Sequence, residues 1–163
     1  MDLDALFQEH QAGLLRYLTR YTGDPDEAAD AVQDAYLRLM ERPPAREDHL
    51  RSWLYAVATN VVRDRRKKRH EVALAEGDWE KTAAPVADPL AQLEQSERRS
   101  AVQQVLSKLS TKERTILLMR EEGFLHREIA AAVGTTTKSI GTMLARALNK
   151  LASDLGEEAE ELK

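Results

Sequence analysis

Arg127-Glu128-Ile129-Ala130-Ala131-Ala132-Val133-Gly134, with a second amphipathic stretch from about Thr137, decides the fold of the C-terminal part of this chain. The stretch from Leu125 to Val133 has helical spacing, Gly134 supplies a tight turn, and a new helix starts three residues later. This is a helix-turn-helix pattern. In such a pair the second helix enters the major groove and its first turns meet base edges. The expected reading surface is Thr136, Thr137, Lys138, Ser139, Thr142 and Arg146. Hydroxyls can bond bases or phosphates, and Lys138 and Arg146 can reach phosphate or guanine. Ile140, Leu144, Leu148 and Leu151 recur at helical spacing and are expected to face the core.

Working outward, the same module begins near Pro89, with Leu90, Leu93, Val102, Val105, Leu106 and Leu109 suited to a leading helix. Ser110-Thr111-Lys112-Glu113 reads as a capping box opening a helix with Ile116, Leu117 and either Met119 or Arg120 inward. Gly123 should end that helix. The final Glu157–Glu161 reads as a frayed acidic tail.

The N-terminal part is also helical, with no strand-like alternation. A first helix spans roughly Leu3 to Thr22, with Leu3, Phe7, Leu14, Leu18 and Tyr21 on one stripe and Gly23 as its stop. Asp24-Pro25, with Glu27 three residues after the cap, starts a second helix that ends before Pro43-Pro44. Ala29, Val32, Tyr36 and Leu39 form its expected buried stripe. Asp30, Gln33, Asp34 and Leu37 lie on a different, polar face.

A third long helix should end near His70. It carries Arg51-Ser52-Trp53-Leu54-Tyr55-Ala56-Val57-Ala58-Thr59-Asn60 and then a run from Arg63 to Arg69 in which six of seven residues are basic. Trp53 and Tyr55 offer ring faces on which an unpaired base can stack, for about 1–3 kcal/mol per base. Asn60 can bond a base edge, and Arg63, Arg65 and Arg66 can hold phosphates. The competing reading puts Trp53, Leu54, Val57, Ala58 and Val61 in the core, and Trp53 is expected to be partly so.

The expected fold class is therefore all-α: two small helical domains, 1–70 and 97–163, joined by a flexible acidic linker at 71–96. Trp79 within that linker is a candidate docking residue. The chain has 163 residues and a formal charge of −4. That charge comes from the linker, which holds six acidic residues and one Lys; residues 1–70 hold twelve of each sign. Local clustering sets the field at a surface, so an acidic protein can still present a basic patch. There is no Cys, and the four His are scattered without ligand spacing. No nucleophile constellation, phosphate loop or metal spacing is present, so neither an enzyme nor a cofactor is expected. No apolar run approaches a membrane span and no signal-peptide pattern opens the chain, so a cytoplasmic protein without membrane insertion is expected.

Three segments together resemble the extracytoplasmic-function (ECF) group of bacterial sigma factors. They are Asp26 to Leu39, Ser52 to Asn60, and Leu109 through Ala147, in family order and spacing. The resemblance implies a promoter-specificity subunit that binds core RNA polymerase, through its β′ clamp helices and β subunit, and promoter DNA. It implies that Asp30, Gln33, Asp34 and Leu37 dock on the clamp helices. The loop Ala45–Leu50 and the helix through Asn60 would hold a flipped minus-10 base. The helix from Thr137 would read the minus-35 element. The linker would thread toward the active-site cleft and RNA exit path. An anti-sigma partner is possible. No further C-terminal domain is expected, so sensing would come from a partner. Leu125 stands where the family usually has a capping Ser or Thr, and Gly141 and Met143 stand where basic residues are common. The main rival is a free-standing helix-turn-helix repressor or activator; a protein-binding helical adaptor is a third reading. The repressor leaves the polar face of the second helix unexplained, and the adaptor leaves the recognition helix unexplained.

Overall fold

The computed structural model describes residues 2–76, 101 and 103–161. Those residues are helical with no strand. The first three long helices are α1 (Leu3–Thr22), α2 (Pro25–Glu41) and α3 (Leu50–Glu76), the last preceded by a 3-10 turn at Glu47–His49. A helical segment at 103–107 is α4. Then come α5 (Thr111–Glu121), α6 (His126–Val133) and α7 (Thr137–Glu161).

The helix boundaries follow from local chemistry. Asp2 caps α1 by accepting from the Ala5 amide at 3.2 Å. Gly23 ends it in the left-handed region at φ 74°, donating to the Thr19 carbonyl. Asp24 caps α2 by accepting from the Asp26 amide at 2.9 Å, and Pro25 fills the first helical position. Glu27 does not close a capping box there, because its carboxylate turns to Arg66 and Arg69. Ser110 and Glu113 do form the reciprocal capping box on α5, at 3.1 and 3.0 Å.

Packing explains where the expected stripes shift. In α1, Phe7, Leu14, Leu18 and Tyr21 are buried as expected, joined by Tyr17, which is fully buried. In α2 the buried set is Ala28, Ala31, Val32, Ala35 and Leu39. Ala29 is exposed and Tyr36 only half-buried. The small residues at 28, 31 and 35 let α2 lie close against its neighbours. Tyr36 instead reaches the domain edge, where its hydroxyl meets Asp4 and its ring lies 4.4 Å from Phe7.

Three boundary expectations change. α3 continues to Glu76, so residues 71–76 are helical rather than linker. The rest of the expected linker, with Trp79, Leu90 and Leu93, lies outside the described residues, as does Val102. α7 continues as helix to Glu161, past the expected stop near Leu155. Its buried residues are Ile140, Leu144 and Ala147, while Leu148 is 41% exposed rather than in the core. A straight helix rotates past a single stripe, so by residue 148 the face has turned toward solvent. In α5 the inward residue is Met119, and Arg120 is exposed.

The Glu113 carboxylate accepts from Lys150 at 2.8 Å and from the Ser110 amide, tying α5 to α7. These contacts, the Lys150 bond foremost, hold its pKa below the ordinary carboxylate value. A lowered folded pKa gives stability fully present above the unfolded value, about 4.3, and lost as pH falls through the folded pKa. Glu113→Gln keeps an acceptor for the cap and removes the charge. Half of Lys150 is in solvent, so the expected cost at pH 7 is modest, about 0.5–1 kcal/mol. The difference should shrink as pH falls below the unfolded value and disappear once Glu113 is protonated in the folded state too. Urea unfolding as a function of pH from 7 downward checks this; a gap that does not shrink with pH assigns the effect to something other than the charge.

Candidate nucleic-acid and polymerase interfaces

The outer face of α2 is open. Asp30 and Gln33 are exposed, and Leu37 is 57% exposed beside Met40 at 52%. Asp34 is not simply solvent-facing: it is half-buried and pairs with Arg65 at 2.8 Å. Two large apolar side chains in water among carboxylates make a surface suited to a partner.

The basic cluster of α3 divides into two sets. Arg65 is held by Asp34, while Arg66 and Arg69 both reach Glu27, at 2.9 and 2.8 Å. Arg66 also donates to the Thr22 carbonyl. These pairs pin α3 to α2 and neutralise part of the run. Arg63, Lys67 and Lys68 are exposed and have no acidic partner among the described residues. Trp53, Asn60 and Lys67 are seven apart, and Arg63 is three beyond Asn60, so all four fall on one side of the helix. Trp53 is half-buried and Asn60 exposed.

Tyr55 corrects the sequence reading. It is 1% exposed, with its ring 5.0 Å from Tyr17 and 4.7 Å from Phe124. Both faces of the residue's surroundings are protein, so no base stacks on it in this arrangement. Position 55 lies two residues from Trp53, roughly 200° around the helix, and turns inward. Burial, with Glu122 nearby, pushes the Tyr55 hydroxyl up to about 12.

In the C-terminal module Thr136, Thr137, Lys138, Thr142 and Arg146 are exposed and Ser139 is half-buried. Lys138, Thr142 and Arg146 succeed each other at i+4 and share a face opposite Ile140 and Leu144. Thr136 serves as the start of α7: its hydroxyl accepts from the Ser139 amide at 3.2 Å and donates to the Ser139 hydroxyl at 2.9 Å. Gly134, at φ 77°, makes the turn that separates α6 from α7. At Leu125 the side chain caps nothing, yet Glu128 accepts from the Leu125 amide at 2.8 Å. Half of a capping box survives.

A cleft of about 520 Å³ lies between α3 and α5, lined by Tyr21, Asn60, Arg63, Asp64, Arg66, Lys67, Thr111 and Arg114. Sequence reading missed Arg114 as a member of this basic region and Glu27 as the acid that organises it. Their roles come from contacts between residues 39 to 93 positions apart, which no local pattern encodes. Among the described residues no group of His, Asp or Glu is arranged to hold a metal ion, and no helix is long and apolar enough to cross a membrane.

Two helical domains with an exposed recognition helix in one and an aromatic-basic helix in the other define the class. Residues 6–71 match Sigma-70 region 2, and residues 99–151 match Sigma-70, region 4. Among curated relatives, the ECF RNA polymerase sigma factor EcfG of Rhodopseudomonas palustris is 32% identical over 81% of this chain and 73% of its own length. The ECF sigma factor SigL of Mycobacterium tuberculosis is 28% identical over 94% of this chain and 88% of its own. Among solved structures, CnrH in complex with the cytosolic domain of CnrY superposes with a TM-score of 0.69 at 21% identity, covering 95% of this chain and 88% of that one. The sigma factor RpoE in complex with the anti-sigma factor NepR from Bartonella quintana gives 0.68 at 23%, over 91% and 95%. The chain belongs to the ECF sigma factors of the sigma-70 family, the promoter-recognition subunits of RNA polymerase. A free-standing repressor is not favoured, since it gives region 2 no role.

Gly141 sits inside α7 near the reading face, and a methyl group built on it meets nothing within 4 Å. Gly141→Ala is therefore expected to stabilise the free protein by about 0.5–1 kcal/mol, the helix-interior difference between the two residues. Thermal unfolding measures it. A destabilised variant would mean that the helix at this point is held in a conformation only glycine tolerates.

Proposed function

We propose that the three surfaces divide promoter opening among them. The α2 face with Asp30, Gln33, Asp34 and Leu37 docks on the β′ clamp helices of core polymerase, and the β subunit contacts the C-terminal domain. The α3 stripe with Trp53, Asn60, Arg63 and Lys67 takes the unpaired minus-10 strand, flanked by Arg65 and Arg66. The α7 surface from Thr136 to Arg146 reads the minus-35 element. The observation that carries this reading is the stripe of α3, where a half-buried aromatic ring, an amide and two cations without an acidic partner among the described residues succeed one another along one line. A ring for stacking followed by cations for phosphates is the chemistry of a single-strand track. The protein does no bond-making of its own and acts with the polymerase in the cytoplasm. We also infer an anti-sigma partner; the RpoE structure, a complex with NepR, supports it.

Asp30→Lys tests the docking face. Asp30 is exposed and makes no ion pair among the described residues, so the fold should be untouched. Co-purification with core enzyme should fall about tenfold or more, from reversed charge at a partner surface. Undiminished recovery at equal expression would remove this face from the proposal. Asn60→Ala tests the strand track. Thymine reactivity to permanganate should drop on duplex promoter DNA at equal holoenzyme occupancy, while core binding stays unchanged. Wild-type reactivity would leave Asn60 a merely structural polar group.

A further inference from the structure

We propose that the cleft between α3 and α5 is a binding site for a nucleoside polyphosphate. Its volume of about 520 Å³ falls within the roughly 300–1,000 Å³ typical of small-molecule sites. Four cations line it: Arg63, Arg66 and Lys67 from α3 and Arg114 from α5. Arg66 and Lys67 stand three and four residues beyond Arg63, so each starts about 5–6 Å from it. A chain of phosphates can bridge such neighbours. The cations are also set in advance. Arg114 donates to the Leu106 and Tyr21 carbonyls at 3.2 and 3.4 Å, with its guanidinium 5.5 Å from the Tyr21 ring centre. Arg66 is fixed by Glu27 and the Thr22 carbonyl. At the other end of α5 the two domains meet along a seam. There Arg16 forks onto the Glu122 carboxylate at 2.9 and 2.7 Å, and Arg51 donates to the Glu122 carbonyl. Burial foremost, and the nearby Arg66, disfavour the charged form of Arg114. A bound anion offsets both.

The polar groups that are not cations say what else the ligand carries. Asn60 and Asp64 line the same space. With Arg63 and Lys67 they occupy one face of α3, at positions 60, 63, 64 and 67. A carboxylate opposes bare phosphate but accepts from hydroxyl or amino groups. Asn60 offers both donors and an acceptor, as a base edge requires. The hydroxyls of a sugar and the polar edge of a base satisfy these two side chains while the phosphates meet the cations. A nucleic-acid strand carries the same groups and fits less well. A strand following α3 needs nothing from α5, whereas Thr111 and Arg114 of α5 bound this space.

Isothermal titration calorimetry of the full chain with ATP and with tripolyphosphate, in magnesium-free buffer, tests the site. ATP should bind saturably and about tenfold more tightly than tripolyphosphate, because only ATP engages Asn60 and Asp64. Thr111→Glu puts a carboxylate at the cleft without endangering the fold, since Thr111 is exposed and an acid in the first turn of a helix is favourable. It should weaken ATP by about tenfold or more, as should Arg114→Met. Because Arg114 also bonds two carbonyls, Thr111→Glu decides the matter if the Arg114 variant folds poorly. Asp64→Asn should raise the affinity for tripolyphosphate and narrow the gap between the two probes, whereas an indiscriminate cationic patch would gain equally for both. A mixed-sequence single-stranded oligonucleotide should be weakened much less than ATP by Thr111→Glu. An equal loss makes the cleft a strand site and overturns the proposal. So does the absence of saturable ATP binding, equal affinity for the two probes, or wild-type ATP binding by Thr111→Glu. Each of these results leaves the sigma role standing, because that role is read separately as promoter-directed transcription with core enzyme.

Discussion

Burial of Tyr55 is the constraint on which the rest of the arrangement depends. Its ring lies between Tyr17 of α1 and Phe124 of the turn after α5, so one side chain belongs to the cores of both domains. Aromatic pairs at such separations are worth about 0.5–1.5 kcal/mol beyond the area they bury. The hydroxyl comes so close to α1 that a methyl group at position 13 would stand 2.8 Å from the Tyr55 oxygen and force the ring or the helix to shift. Gly13 is an unfavourable residue inside a helix, costing about 1 kcal/mol against Ala. The space it leaves is taken by the tyrosine hydroxyl. Thr59, four residues on, bonds the Tyr17 hydroxyl and the Tyr55 carbonyl, so the same helix turn is locked internally.

The second constraint is electrostatic. A chain with net charge −4 presents a cationic track because α2 supplies the acids that organise α3. Glu27, largely buried, accepts from both Arg66 and Arg69. Asp34 accepts from Arg65. Individually such pairs contribute little, about 0–1 kcal/mol each. Their effect is geometric: they rotate half of the basic run toward α2 and leave Arg63, Lys67 and Lys68 for the outside. Asp34 therefore has two claims on it, as a residue of the α2 face and as the partner of Arg65. A substitution there mixes the two effects, whereas Asp30 separates them.

Local patterns made the helices legible and long-range contacts stayed hidden. The caps at Asp24 and Ser110, the stops at Gly23 and Gly134, and the inward Ile140 and Leu144 all follow from rules that act within four residues. The family was legible too, from three segments in order. What could not be read was which of two plausible faces a helix turns inward. Ala29 and Ala28 are chemically identical, and only the neighbouring helix decides that 28 is buried. Trp53 and Tyr55 look equally available as aromatic platforms, yet two residues of helix separate a half-exposed ring from a buried one. The seam was invisible for the same reason: Arg16, Arg51 and Glu122 are ordinary surface residues until the fold brings them together across gaps of 106 and 71 positions.

The recognition helix shows how a departure at one position is absorbed by its surroundings. α6 has only eight residues, too few to be stable alone. Leu125 denies it the side-chain cap that Ser or Thr would give, at a cost of about 1 kcal/mol. Three things compensate. Glu128 takes the Leu125 amide, the Leu125 carbonyl still accepts from the Glu128 and Ile129 amides, and Ile129 is fully buried against the core. At the other end Gly134 and Thr135 both donate to the Ala130 carbonyl, which closes the helix before the turn. The direction of α7 is thus set from the C-terminal end of α6 and by Ile140 and Leu144 beneath it. A weak cap at the far end of α6 costs stability without moving the reading face. The missing cap is therefore a matter of α6 stability alone, and the exposed line Lys138, Thr142 and Arg146 on α7 keeps its place.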